Sequence, residues 1–323
     1  MINEISIAEI FEDAKNNFQN SENSKKLDFK YFLLPFYFSG KKLENSGDYA
    51  KSRKIFPRWG MTLLSAGTMR FRWNEENENR EKVFDEVLSE IKADKAAETK
   101  DENYCSHKKI VPIELIHSKI VVEAENAEDT KDVKADGIVT RNRGLIPSVT
   151  VADCVPIYLY DTKTGAIGIF HSGWKGTGIA GDGVKKMQDV FGSTPEDISA
   201  AIGPHIGKCC YCVDEVRAEY FSKNFGSKCI SKRNSDFNSD EDFESKKKFP
   251  YSLSLTQANL FVLNKAGIKE ENIVAAKDCT CCAKFSSGKN IFGSFRRQAA
   301  FLPPEITKEE KSRLMTVQAA FII

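Results

Sequence analysis

Cys154 and His171 are the pair in this chain whose residue types and spacing best suit chemistry. They lie at the ends of two β-branched runs, VPIYLYD and GAIGIFH, with Asp161, Thr162, Lys163 and Thr164 between. A turn signal between two such runs predicts an antiparallel hairpin. With Thr162 and Lys163 as its two loop residues, Cys154 stands opposite His171 on one face, with Cβ atoms about 5 Å apart. A one-residue slip, which a bulge at Gly165 would cause, sends the two to opposite faces. Two chemistries use the pair. A thiolate and a neutral imidazole are ligands for zinc or copper, with a third ligand from elsewhere and a fourth position left open. His117, closing the strand-like IELIH, is the natural third. In the other chemistry Cys154 is a nucleophile and His171 its base. A buried thiol beside a core histidine is the reading without function.

Other residues offer weaker signals. Gly176, Gly178 and Gly181 spell G-x-G-x-x-G before a predicted helix, but HSGWK separates them from the preceding strand, which argues against a dinucleotide loop. That loop can still hold an anion, to which Lys175 adds a full charge, or it is simply a turn that needs small residues. Cys209 with Cys212, and Cys279 with Cys282, are two C-x-x-C pairs that could bind a structural zinc; loop or buried thiols are the competing reading. Asp153 adjoins Cys154 and can orient a ligand or a water. Arg296 and Arg297 in SFRRQ suit oxyanion contacts, one of them serving a structural ion pair. His205 in GPHIG either lines the pocket or lies at the surface, and Trp174 either packs on an aromatic base or roofs the metal. His107 lies in a charged linker, where it is solvated.

The elements that must position these groups follow from periodicity. The N-terminal segment reads as a helix through Ile5, Ile7, Ile10, Phe11 and Ala14, then an aromatic run from Phe29 to Phe38 suited to a strand. Val83, Phe84, Val87, Leu88 and Ile91 mark an amphipathic helix inside a charged stretch running to Lys109. Residues 110–230 alternate short β-branched runs with Gly, Asp and Asn turns, interrupted by a helix over 183–191. A charged insertion at 231–248 reads as a solvated loop; a helix through Thr256, Asn259, Leu260 and Leu263 and the strand-like ENIVAAKDCT follow. The expectation is an α+β chain of mixed β-sheets packed as a sandwich flanked by helices. Residues 1–109 are then an N-terminal elaboration of one domain whose core is 110–323.

Composition narrows the function classes. The chain has 323 residues, 41% of them apolar, enough for a large core. Its 47 basic residues nearly cancel its 46 acidic ones, so no global field attracts nucleic acid or an anionic membrane. No apolar run approaches the ~18 residues of a membrane span. Nine cysteines, an odd count in so long a chain, fit reduced thiols and a cytoplasmic location.

ADCVPIYLYD, GAIGIFHSGWKGTG and AAIGPHIGKCCYCVDE, with KADGIVT before them and DCT and SFRR after, resemble the YfiH or laccase-domain family over roughly residues 110–300. That family is also called multicopper polyphenol oxidoreductase and peptidoglycan editing factor. The resemblance implies a YfiH-like fold and a catalytic zinc on His117, Cys154 and His171. It also implies phosphorolysis of adenosine, inosine or methylthioadenosine, with adenosine deamination as a companion reaction. Phosphate would lie near the metal and Lys175, in a monomer or weak homodimer. The chain departs from the family pattern where LLSAGTMRF replaces an Arg-containing Gly-Gly motif and where Lys175 replaces Arg. It departs again where Cys212 replaces Glu and where QAAFLPP follows SFRR. The alternatives are a copper-dependent phenol oxidase, a cysteine hydrolase or peptidoglycan-precursor editing enzyme, and a non-catalytic binding protein.

Overall fold

The computed structural model of the chain describes residues 2–18, 29–36, 57–96, 108–233 and 248–323. Among these residues the short β-branched runs assemble into two large mixed sheets. The first has seven strands in the order β1 (Asn3–Ile5), β14 (Ile273–Ala276), β10 (Ile198–Ile202), β8 (Val155–Asp161), β9 (Ile167–Ser172), β6 (Gly137–Thr140) and β5 (Val121–Glu123). The second has five, β2 (Tyr31–Pro35), β3 (Arg58–Thr62), β15 (Gln318–Ile322), β7 (Leu145–Val151) and β4 (Lys109–Pro112). A small sheet joins β11 (Cys212–Val213), β13 (Tyr251–Leu253) and β12 (Ile230–Lys232).

Side-chain parity stacks these sheets. Along β15, Ala320 and Ile322 enter a core shared with the seven-stranded sheet, while Ala319 and Phe321 face the other way. On β8, Tyr158 enters the shared core, and Ile157 and Leu159 face outward. Each outer face is closed by helices. Val83, Phe84, Val87 and Ile91 of the Glu78–Ala96 helix cover the five-stranded sheet. Helices Ile179–Phe191, Glu215–Phe225 and Leu255–Lys265 cover the seven-stranded one. The result is the α+β sandwich flanked by helices that the sequence pattern predicts.

Local expectations change in three places. The first helix begins at Ile7 because the Asp278 carboxylate accepts the N–H groups of Ile7 at 2.6 Å and Ala8 at 3.2 Å, leaving Ile5 in β1. β4 stops at Pro112, so His117 lies on a loop and not at a strand end. In the β8–β9 hairpin Pro156 pairs with His171, two residues from the predicted register. Asp161 N–H donates to the Ala166 carbonyl at 2.9 Å, so Thr162 to Gly165 form a longer turn, with Gly165 at φ 75°. The Asp161 carboxylate fastens that turn by accepting the N–H groups of Lys163 (2.8 Å) and Thr164 (3.1 Å) and the Thr164 hydroxyl (2.7 Å). Side chains alternate with period two, so a two-residue shift leaves Cys154 and His171 on one face. Cys105, His107, and residues 234–247 of the expected insertion lie outside the described residues.

Candidate functional site

Three ligand atoms converge at one end of the layer between the sheets. His171 continues the row of Ile167 and Ile169 on β9, and Cys154 sits just before β8. His117 arrives from the loop after β4 with φ 60°, a left-handed conformation that a non-glycine residue adopts only when its surroundings impose it. The imposing group is Asp136, fully buried just before β6. Its Oδ1 accepts the His117 N–H at 3.0 Å and bonds His171 Nδ1 at 2.8 Å. Its Oδ2 accepts the Ser118 N–H at 2.6 Å and the Ser118 hydroxyl at 2.7 Å. One carboxylate therefore seats both histidines. With Nδ1–H donated to Asp136, Nε2 is the His171 nitrogen left to face the site, and its lone pair becomes a ligand when the Nε2 proton is released. The two rings meet edge to face with centroids 4.9 Å apart, and the ligand atoms of His117, Cys154 and His171 lie within 4.8 Å of one another. Gly173 leaves the room. A Cβ there would lie 3.1 Å from Cys154 Sγ and 3.4 Å from His117 Cδ2.

The charges are coupled. Burial alone raises the Cys154 thiol, but the charge of His171 and bonds from both histidines outweigh it and bring its pKa down to about 6. Burial alone lowers His171, and the Cys154 thiolate and Asp136 outweigh it, raising its pKa to about 9. Asp136 stays below the ordinary carboxylate range because its bonds from His171 and Ser118 overcome its burial. A thiolate and two imidazoles held this way can bind a metal ion, and the donor set suits a borderline-soft one.

The surrounding residues divide into positioning and accessible groups. Asp153, at φ 79°, accepts the Thr280 hydroxyl at 2.7 Å on Oδ1 and the Arg296 N–H at 2.6 Å on Oδ2. Its two oxygens thus fasten the Thr280 side chain and the Arg296 backbone beside Cys154, and burial pushes its pKa up. His205 is buried, with Nδ1 bonded to the Gly203 carbonyl at 2.8 Å and Nε2 to the Thr256 hydroxyl at 2.9 Å. Both nitrogens are used within the fold, which corrects the expectation of a surface histidine. Arg297 turns its guanidinium onto the carbonyls of Thr280 (2.9 Å), Cys281 (2.6 Å) and Phe292, so it braces a loop. Arg296 remains half-buried, its guanidinium 5.6 Å from the Tyr211 ring centroid. Trp174 is 39% exposed and carries Lys175 Nζ at 5.5 Å and the Arg217 guanidinium at 4.5 Å from its ring centroid. Of the G-x-G-x-x-G glycines, Gly176 and Gly178 form the turn into the Ile179–Phe191 helix and Gly181 lies in its first turn. Cys212 lies on β11, and Cys210 instead joins Cys209, Cys279 and Cys282 in a second cluster, correcting the two C-x-x-C pairs.

Sequence reasoning missed Asp136, Ser118 and Arg217 as members of the site. Asp136 had a signal, a lone carboxylate immediately before the strand-like GIVT, within the KADGIVT motif. Arg217 had none, being one of several charges on a surface helix.

Known proteins share the motifs and the fold. The purine nucleoside phosphorylase YlmD of Geobacillus stearothermophilus is 34% identical over 171 residues, 52% of this chain and 59% of that protein. The adenosine deaminase RL5, from an unknown prokaryotic organism, is 32% identical over 174 residues, 50% of this chain and 62% of that protein. The chain spans about half the length of the curated relatives it matches. The crystal structure of the Bacillus licheniformis hypothetical protein YfiH has the same fold, with a TM-score of 0.62 over 82% of this chain and 92% of that one at 23% identity. No helix among the described residues is long and apolar enough to cross a membrane. Residues 88–301, well over half of the chain, match the family described as multi-copper polyphenol oxidoreductase laccase, and the protein belongs to that family.

Proposed function

We propose that this chain is a zinc-dependent purine nucleoside phosphorylase, converting adenosine, inosine or methylthioadenosine and phosphate to free base and the ribose 1-phosphate product. Deamination of adenosine is its companion reaction. The single observation that carries this reading is the convergence of two imidazoles and a thiol within 4.8 Å on one buried carboxylate. The names of the relatives, purine nucleoside phosphorylase and adenosine deaminase, support the substrate class.

His117, Cys154 and His171 would hold the zinc, which when bound supplies a Lewis acid with an open coordination position beside the substrate. The remaining work falls to the chain. Asp136 holds the proton on His171 Nδ1 and so fixes which nitrogen faces the site. Trp174, which is exposed, offers an aromatic face to a purine. Arg296 and Lys175 supply positive charge for phosphate, Arg296 as a planar fork and Lys175 as a point charge. Copper suits the same donors, but moving four electrons to oxygen takes several coppers, and this site offers one three-residue group. The eight cysteines of the described residues, all thiols, fit a reducing, cytoplasmic compartment. The near balance of charge argues against nucleic acid as partner.

A second reading has its own observation. Cys154, His171 and Asp136 stand in the order of a nucleophile, a base and an orienting acid. His117 separates the two. The test is zinc content and nucleoside turnover of His117→Ala, Cys154→Ala and His171→Ala, each with and without added zinc. Zinc catalysis expects all three to fail together. If His117→Ala keeps near wild-type turnover while Cys154→Ala is dead, Cys154 is the nucleophile; if wild type with zinc restored turns over no purine nucleoside, the proposed activity is wrong.

A further inference from the structure

A second group of thiols lies outside the site just described. β10 and β14 are parallel neighbours, with Ile202 beside Ala275, so the loops leaving their C-terminal ends emerge side by side. The first loop carries Cys209 and Cys210; the second carries Cys279 and Cys282. They are laced together by a parallel bridge between His205 and Cys279 and by the Thr280 N–H donating to the His205 carbonyl at 3.0 Å. The four sulfur atoms lie within 4.8 Å of one another, with Cys209 Sγ 3.6 Å from Cys282 Sγ. Zinc bonds to sulfur of ~2.3 Å, set tetrahedrally, separate sulfurs by about 3.8 Å. The cluster is therefore close to the dimensions of a tetrathiolate cage.

Its surroundings suit a metal too. The Gly207 N–H donates to Cys279 Sγ at 3.1 Å, the kind of amide bond that stabilises a thiolate. A Cβ at Gly207 would lie 3.0 Å from Cys279 Cβ and 3.1 Å from Cys209 Sγ, so glycine lets this loop close over the sulfurs. The Arg297 guanidinium, bonded to the Thr280 and Cys281 carbonyls, brings a positive charge toward the excess negative charge of four thiolates. Cys209 and Cys282 are exposed and Cys279 is buried, which gives an ion a route in and a fixed floor.

We propose that Cys209, Cys210, Cys279 and Cys282 form a second metal centre, a tetrathiolate zinc site that staples the two loops together. The same segment holds Thr280, which fastens Asp153 next to Cys154, so the staple also steadies one wall of the first site. Disulfides would join these sulfurs only in pairs, whereas one metal ion engages all four together. The centre is independent of what the first site does.

Native mass spectrometry of the full chain, purified without added metal, tests the proposal. The expected count is two zinc per chain in the wild type and one in Cys154→Ser. One is also expected in the Cys209→Ser, Cys282→Ser double variant, whereas Cys212→Ser and Cys281→Ser keep both. Should the double variant fail to fold, alkylation of the wild-type protein decides the matter: the four cysteines are expected to be protected together and released together by a chelator. The proposal is overturned if wild type carries a single zinc that Cys154→Ser removes. It is equally overturned if the double variant keeps the wild-type count, or if peptide mapping finds a disulfide among the four.

Discussion

Replacing Asp136 by Asn removes one charge and one acceptor from the point where both histidines are held. Asp136 is fully buried and accepts from four groups, at 3.0 Å from His117 N, 2.8 Å from His171 Nδ1, 2.6 Å from Ser118 N and 2.7 Å from Ser118 Oγ. Asn can keep its oxygen toward the two histidines, but its amino group then faces the Ser118 N–H, donor against donor. Losing that charge-assisted bond costs about 1.5–3 kcal/mol of stability. Zinc affinity suffers separately, because a neutral amide oxygen keeps the Nδ1–H form of His171 but no longer supplies the negative charge that makes Nε2 a stronger donor. Losing such a carboxylate partner typically weakens metal binding 10–100-fold, or about 1.4–2.7 kcal/mol. The assay is competition with a chromophoric zinc chelator, read on the zinc that Cys154→Ala abolishes, with thermal melting to establish that each variant folds. Ser118→Ala, which loses only the hydroxyl bond, is the control and should shift affinity less than about threefold. A folded Asp136→Asn protein whose zinc affinity stays within threefold of wild type would refute the reasoning. A collapse of turnover at unchanged zinc affinity would instead favour Asp136 as the orienting acid of a cysteine nucleophile.

Gly173→Ala places a methyl 3.1 Å from Cys154 Sγ, so zinc affinity and turnover should fall together by roughly tenfold while melting changes little; unchanged zinc binding would show that the three ligands do not need that space. Arg217→Ala removes the cation over Trp174, an interaction of about 1 kcal/mol, so the nucleoside KM should rise about fivefold with kcat and zinc content unchanged; an unaltered KM would remove Arg217 from the binding wall. Asp161→Asn should destabilise the chain by about 1–2 kcal/mol at neutral pH through the β8–β9 turn. Burial raises the Asp161 carboxyl, but its bonds from Ser193 and Thr164 hold it below the ordinary range in the fold. Its stabilisation is thus present above the unfolded value of about 3.9 and disappears as pH falls through the lower folded value. Denaturant unfolding at several pH values should therefore show the gap between wild type and variant closing in acid; a gap that widens would reverse the assigned sign.

Much of this protein is legible in the order of its residues, because faces are set locally. Period-two alternation assigns each strand residue to a side, so Cys154 and His171 share a face in the observed four-residue turn as in the expected two-residue one. The spacing of Val83, Val87 and Ile91 likewise places an apolar stripe on a helix before any partner is known. What no local pattern carries is the meeting of loops from distant strands. Asp153 reaches Thr280 across 127 residues and the Arg296 backbone across 143. Cys210 replaces Cys212 in the thiol cluster because β10 and β14 run parallel and adjacent, a fact of sheet order and not of C-x-x-C spacing. His205 looks like a surface histidine in GPHIG and is buried because both its nitrogens find partners, one of them Thr256 on a separate helix. Asp136 is one ordinary carboxylate among 46 acidic residues until the fold buries it under two histidines. Chemistry resides in residue type, which the chain states outright, whereas distance and desolvation arise only when sheets and loops pack, and these two decide which of the eligible groups act together.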